Sequence, residues 1–242
     1  MSDPLVFLHG WGQSERIWFQ QRWMFPNATF INLPGHGGTA DATPKQWLQI
    51  ITEQMPDEPA VLVGWSLGGM LAMEIACRWT KRLSALALIS STPSFRLRDG
   101  WQHGCNQDVF SDFEQAVMSQ SPKTMNRFFA LMMIGDGLSR SAYNTLAREA
   151  VNRQSPTTTA GIKTGLELLS TIDLRAQLHA LSMPTLIMHG KQDAIVPFAA
   201  SRALANTLPN AQLQAFEACG HAPFLTQAEA FNTILNNWWH TL

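Results

Sequence analysis

Charge and cysteine are both scarce in this chain of 242 residues. Only 14% of it is Asp, Glu, Lys or Arg, 17 basic against 18 acidic, and the formal net charge is −1 at pH 7. That balance excludes a globally basic nucleic-acid binder and an acidic disordered chain. Cys77, Cys105 and Cys219 are odd in number and widely spaced, which signals neither a disulfide framework nor a zinc cluster. No apolar run approaches the ~18 residues of a membrane span, and the opening Met1-Ser2-Asp3-Pro4-Leu5 carries no basic leader region. A soluble cytoplasmic protein is the expectation. Internal repeats and low-complexity segments are absent. At roughly 100–200 residues per domain, the length points to one substantial domain with room for an inserted piece. A chain of this size buries about 70–75% of its unfolded surface, enough to hold a core without disulfide or metal.

What is present is a regular alternation. Short apolar runs fall at 5–8, 29–33, 60–63, 83–89, 185–188 and 212–216, several of them continuously apolar. Such runs fit parallel strands covered on both faces. Helical patterning at 44–54, 70–79 and 198–207 separates some of them, which predicts an α/β, mostly parallel, doubly wound sheet. Residues 106–178 break the alternation. Phe110, Phe113 and Val117, then Phe128, Leu131 and Met132, then Tyr143, Leu146, Ala147 and Ala150 recur at helical spacing, with no strand-like run among them. The expected organisation is a core over 1–105 and 179–242 with a helical cap inserted at 106–178. Residues 122–163 carry a net charge of +4, leaving −5 on the rest. A positive lid on a negative body points to an acidic partner or substrate, unless the charge is only a solvated helix face.

The strongest chemical signal is Gly64-Trp65-Ser66-Leu67-Gly68-Gly69, between a strand-like run and an apolar helical run. Gly-x-Ser-x-Gly in that setting is a nucleophile elbow, a tight turn that lifts the serine hydroxyl above the sheet edge. A serine needs a base. Of the seven histidines, His221 in Gly220-His221-Ala222-Pro223 follows the last apolar run and reaches the same edge. His189 reads as a strand-end residue, His103 and His179 as belonging to the cap or its border, and His240 as tail. His36 and His9 read as loop-shaping. The base in turn needs a carboxylate to fix its tautomer. Asp193, on the loop after the fifth run, completes the chain order Ser…Asp…His and stands ahead of Asp173 and Glu217. His9-Gly10-Trp11-Gly12, a glycine-rich loop after the first run, is placed so that the Trp11 and Leu67 N–H groups form an oxyanion hole.

Together these motifs resemble the α/β-hydrolase superfamily. More narrowly, Leu8-His9-Gly10-Trp11-Gly12, Leu33-Pro34-Gly35-His36-Gly37, the elbow, Arg127-Phe128-Phe129-Ala130-Leu131, Gly165-Leu166-Glu167-Leu168-Leu169, Thr171-Ile172-Asp173-Leu174-Arg175 and Ala222-Pro223-Phe224 resemble the pimeloyl-(acyl-carrier protein) methyl ester esterases of biotin synthesis. The resemblance implies a serine carboxylesterase, monomeric and without metal or organic cofactor. It also implies a substrate site lined by Trp11, Ser66, Leu67, Phe128, Phe129, Ala130, Leu131, Met132 and His221. Its expected partner is an acyl-carrier protein bearing a pimeloyl methyl ester. Because carrier proteins are acidic, Lys123, Arg127 and Arg140 become candidate docking residues. Members of that family carry a short strand pair ahead of the oxyanion loop, which this chain is expected to lack. A broad short-chain carboxylesterase, a carbon–carbon bond hydrolase and a non-catalytic ligand receptor remain alternatives on the same scaffold.

Overall fold

The computed structural model describes residues 2–119, 122–151 and 154–242, and the side chains of all of these except Pro122 and Lys123. In chain order the elements are β1 (Leu5–Leu8), α1 (Phe19–Met24), β2 (Thr29–Ile31), α2 (Pro44–Glu53), β3 (Ala60–Trp65), α3 (Leu67–Arg78) and β4 (Leu83–Ile89). Then come four consecutive helices, α4 (Gln107–Met118), α5 (Pro122–Met132), α6 (Arg140–Ala150) and α7 (Thr159–Thr171). The chain closes with β5 (Thr185–Gly190), α8 (Phe198–Thr207), β6 (Ala211–Phe216), α9 (Pro223–Thr226) and α10 (Ala228–Trp239).

The strands form one sheet in the order β2-β1-β3-β4-β5-β6, every pair parallel. Side chains alternate along each strand, and burial on both faces explains why the runs are continuously apolar. Val6, Leu8, Leu62, Leu86 and Ile187 pack on one face with α2, α3 and α7. Leu5, Phe7, Val61, Val63, Ala87 and Met188 pack on the other with α10. Between β1 and β3 the order reverses, so their outgoing chains leave toward opposite faces. A crevice opens at the carboxyl ends of the strands at such a point, which is where this architecture binds ligands.

Each apolar run became a strand, with ends moved by a residue or two. Helix α3 begins at Leu67 rather than at 70, because Gly68 and Gly69, poor helix formers in isolation, are required by packing against β1 and β3. The short α1 has too few residues to show a period. All three cysteines are free. No helix among the described residues is long and apolar enough to cross a membrane.

Candidate active site

Ser66 sits between β3 and α3 with φ 55° and ψ −118°, a left-handed conformation that costs a non-glycine residue about 1–3 kcal/mol. The surroundings impose it. A Cβ on Gly64 would lie 2.5 Å from the Gly68 carbonyl oxygen, and one on Gly68 would lie 2.5 Å from that of Leu8. Only glycine lets strand and helix approach so closely. The Ser66 backbone is then pinned: its N–H donates to Ile89 O at 2.9 Å, and its carbonyl accepts from Ser91 Oγ at 2.8 Å and from the Gly69 N–H at 3.0 Å. Leu67, the first residue of α3, is fully buried, and its N–H is one of the four that a helix start leaves without an intrahelical acceptor.

The loop after β1 is braced by two buried histidines. His9 Nδ1–H donates to Gly10 O at 2.8 Å while its Nε2 accepts the Leu33 N–H at 3.0 Å. His36 Nδ1–H donates to Pro34 O at 2.8 Å while its Nε2 accepts the Gly12 N–H at 3.3 Å. Both tautomers follow from these partners. Burial, together with His36 alongside, holds His9 well below its ordinary range. Burial likewise lowers His36 to about 4, against the upward pull of the Pro34 hydrogen bond and of Asp41. Trp11, between these anchors, sends Nε1–H to Ile162 O at 3.0 Å and meets Phe128 edge-on at 5.0 Å between ring centroids.

Asp193 lies in the turn after β5. Its Oδ1 accepts the N–H groups of Ile195 at 2.8 Å and Val196 at 3.0 Å, and its Oδ2 meets His221 Nδ1 at 2.7 Å. Burial alone would raise its pKa, but His221 and His189 more than offset that and hold the carboxyl well below the usual range. His221 is fixed by its backbone as well. Its N–H donates to Met132 O at 2.7 Å, and its carbonyl accepts Trp65 Nε1–H at 2.9 Å. Trp65, the neighbour of Ser66, thereby ties the elbow to the histidine loop. Since Nδ1 faces a carboxylate it carries the proton, which leaves the buried Nε2 a bare lone pair with no hydrogen-bond partner among the described residues. Such a group can accept a proton.

The structure brings Ser66, Asp193, His221, Trp11 and Leu67 to the carboxyl edge of the sheet. On α5, Phe128 contacts Trp11, Met132 holds His221, Phe129 is buried, Leu131 is half-buried and Ala130 is exposed. A cavity of about 250 Å³ opens beside Gly12, lined also by Gln13, Met125, Asn126, Phe129 and Tyr143. Arg127 and Arg140 are exposed and outside any ion pair among the described residues, while the side chain of Lys123 lies outside those residues. The rival acids are engaged elsewhere. Asp173 binds Arg175 at 2.7 and 2.8 Å, and Glu217 pairs with Lys191 at the surface.

Three contributors escaped sequence reasoning. Trp65 was read only as part of the elbow. Asp136 accepts the Gly220 N–H at 3.1 Å and the Thr226 hydroxyl at 2.7 Å, and its place between Gly135 and Gly137 was the available signal. His189, four residues before Asp193, is fully buried with Nε2 3.0 Å from Asp193 Oδ2.

A doubly wound parallel sheet with a strained serine above its switch point defines a class, and the chain belongs to the alpha/beta hydrolase fold family, whose profile matches residues 3–228. Within it, the chain is 36% identical over 240 residues to the pimeloyl-(acyl-carrier protein) methyl ester esterase of Aromatoleum aromaticum, covering 95% of each chain. It is 35% identical to the enzyme of the same name from Nitrosomonas europaea, over 94% of this chain and 92% of that one. In structure it resembles an esterase from Exiguobacterium antarcticum with a TM-score of 0.85 at 22% identity, covering 99% of this chain and 93% of that one. That last likeness is one of fold.

Proposed function

We propose that this protein is a serine carboxylesterase that hydrolyses the methyl ester of a pimeloyl-(acyl-carrier protein), releasing methanol. The observation that carries the chemistry is the bare, buried Nε2 of His221, with Nδ1 held on Asp193 and the backbone tied to the elbow of Ser66. The named relatives supply the substrate.

In this reading Ser66 Oγ attacks the ester carbonyl as its proton passes to His221 Nε2. The Trp11 and Leu67 N–H groups hold the oxyanion, each such donor being worth about 2.7–4 kcal/mol in the transition state. Collapse of the tetrahedral intermediate breaks the bond to the methoxy oxygen, which takes the proton from His221 and leaves as methanol. His221 then draws a proton from water, whose hydroxide attacks the acyl-enzyme; the bond to Ser66 Oγ breaks, Oγ takes the proton back from His221, and the distal carboxylic acid is freed. Asp193 stays ionised and stabilises the imidazolium. Helices α4–α7 act as a cap. Phe128, Phe129, Leu131 and Met132 surround the pimeloyl methylenes, each methylene contributing about 0.8 kcal/mol when buried. Arg127, Arg140 and Lys123 attract the acidic carrier, an effect expressed mainly in association rate and in salt dependence.

The test measures methanol released from the carrier-bound methyl ester and from free monomethyl pimelate, at low and high salt. A preference for the carrier-bound ester that shrinks as salt rises is expected. Equal turnover of both, insensitive to salt, reduces the protein to a general carboxylesterase, and no methanol from either refutes the esterase reading.

A further inference from the structure

Asp193 is approached by two histidines, of which the mechanism above uses one. His189 ends β5, is fully buried, and shows Nε2 to acceptors alone: Val196 O at 2.9 Å and Asp193 Oδ2 at 3.0 Å. It must carry its proton there. On the other side of the ring, Nδ1 meets the Ser201 hydroxyl from α8, which is itself buried and free to donate. The result is a continuous relay of donors, Ser201 Oγ–H to His189 Nδ1, His189 Nε2–H to Asp193 Oδ2, with His221 Nδ1–H closing on the same oxygen at 2.7 Å. Packing makes the approach compulsory. A Cβ on Gly190, next to His189, would lie 2.0 Å from Gly220 O and 2.3 Å from Cys219 O, so the end of β5 is pressed directly against the loop that carries His221.

We propose that His189 is a positioning residue that shares the Asp193 Oδ2 with His221 and thereby sets the pH at which His221 becomes free to act as base. The inference rests on the reading of His221 as that base. An oxygen already accepting from His189 has less charge to offer the His221 imidazolium, so the shared donor favours the form of His221 that can take the Ser66 proton. Without it, the carboxylate binds the imidazolium more firmly and is also freer to turn. Among the described residues, the other ionisable groups that feel the charge of Asp193 are Asp136, from the loop after α5, and Cys219, from the turn after β6. Burial raises both, Cys219 to about 12, which leaves Asp136 as the one to control for in the acid range.

The experiment records kcat/KM against pH for methyl ester hydrolysis by the wild type, by His189→Leu and by His189→Gln, the last keeping an N–H donor near the Nε2 position. For His189→Leu the acid limb moves to higher pH by about one unit, the tenfold that a hydrogen bond to a charged group is worth. His189→Gln returns the limb toward the wild-type position. The same shift must appear in an Asp136→Asn background, which removes the competing carboxyl. An unmoved limb with equal loss of kcat in both His189 variants, or a limb moved to lower pH, overturns the proposal in favour of a packing role. Nitrogen NMR of the ¹⁵N-labelled wild type reads His189 without any substitution: the Nε2–H tautomer is expected, and the Nδ1–H tautomer refutes it. Failure of the wild type to turn over the ester would refute the esterase reading, while the tautomer still judges His189.

Discussion

Two pairs of buried histidines meet at the carboxyl edge of the sheet, each pair drawn from two separate parts of the chain, and the partners of the two pairs differ. His9, after β1, and His36, after β2, have only backbone groups as ring-nitrogen partners among the described residues, so burial drives both toward the neutral form and makes them geometric braces for the Trp11 loop. His189, at the end of β5, and His221, after β6, close on the carboxylate of Asp193, which can compensate a positive ring. Equal burial of the same side chain therefore gives rigid braces in the first pair and, in the function proposed above, a proton acceptor in the second. The difference is a single carboxylate. Buried charge is tolerated only where it is paired and hydrogen-bonded.

The largest effect that would break this contrast comes at the reacting atoms. Ser66→Ala is expected to lower kcat by about 10⁴-fold or more in a methanol-release assay, as removal of a nucleophile acting with its base does elsewhere. Asp193→Asn, which keeps the shape but removes the charge and upsets the His221 tautomer, is expected to cost about 10⁴-fold in kcat. If His9 and His36 are only braces of the β1 loop, His36→Phe must cost far less. It strips the Gly12 N–H of its acceptor, and a fall of about 10–100-fold in kcat with KM little changed is expected, below the 10²–10³-fold typical of losing an oxyanion donor outright.

Acid titration separates the two clusters by stability rather than rate. His36 is lowered from 6.5 to about 4, so the unfolded chain binds its proton first as pH falls. Its contribution is intact above pH 6.5 and is lost between 6.5 and 4, about 3 kcal/mol at 1.36 kcal/mol per unit, with His9 acting in the same direction. Asp193 is depressed from 3.8, so its contribution persists above that pH and is lost only below it. Urea unfolding between pH 7 and 4 checks this: the slope in that window should flatten in His36→Phe. The smallest effect is at the exposed arginines of α5 and α6. Arg127→Glu with Arg140→Glu is expected to lower kcat/KM for the carrier-bound ester by about tenfold at low salt and scarcely at high salt, leaving the free ester unaffected.

The frame was legible, and the candidate residues could be nominated, because their signals are local. Strands buried on both faces write continuous apolar runs, and a nucleophile elbow writes its glycines beside its serine. His189 was read as a strand-end residue since an isolated histidine at the end of a run carries no sign of what it meets; the turn after β5 folds Asp193 back onto it four residues later. Asp136 and the Met132 carbonyl were equally silent, their partners lying 84 and 89 positions further along the chain. Long-range polar pairs of this kind leave no period in a sequence.

The central claim, that Ser66 is the nucleophile made reactive by His221, is tested most directly by covalent labelling. The protein is treated with an organophosphonate ester at neutral pH, digested, and mapped by mass spectrometry alongside residual methanol release. A single adduct on the Ser66 peptide, formed in step with loss of activity and suppressed in His221→Ala, is expected. An adduct on another residue, or full activity remaining after Ser66 is labelled, would contradict the account.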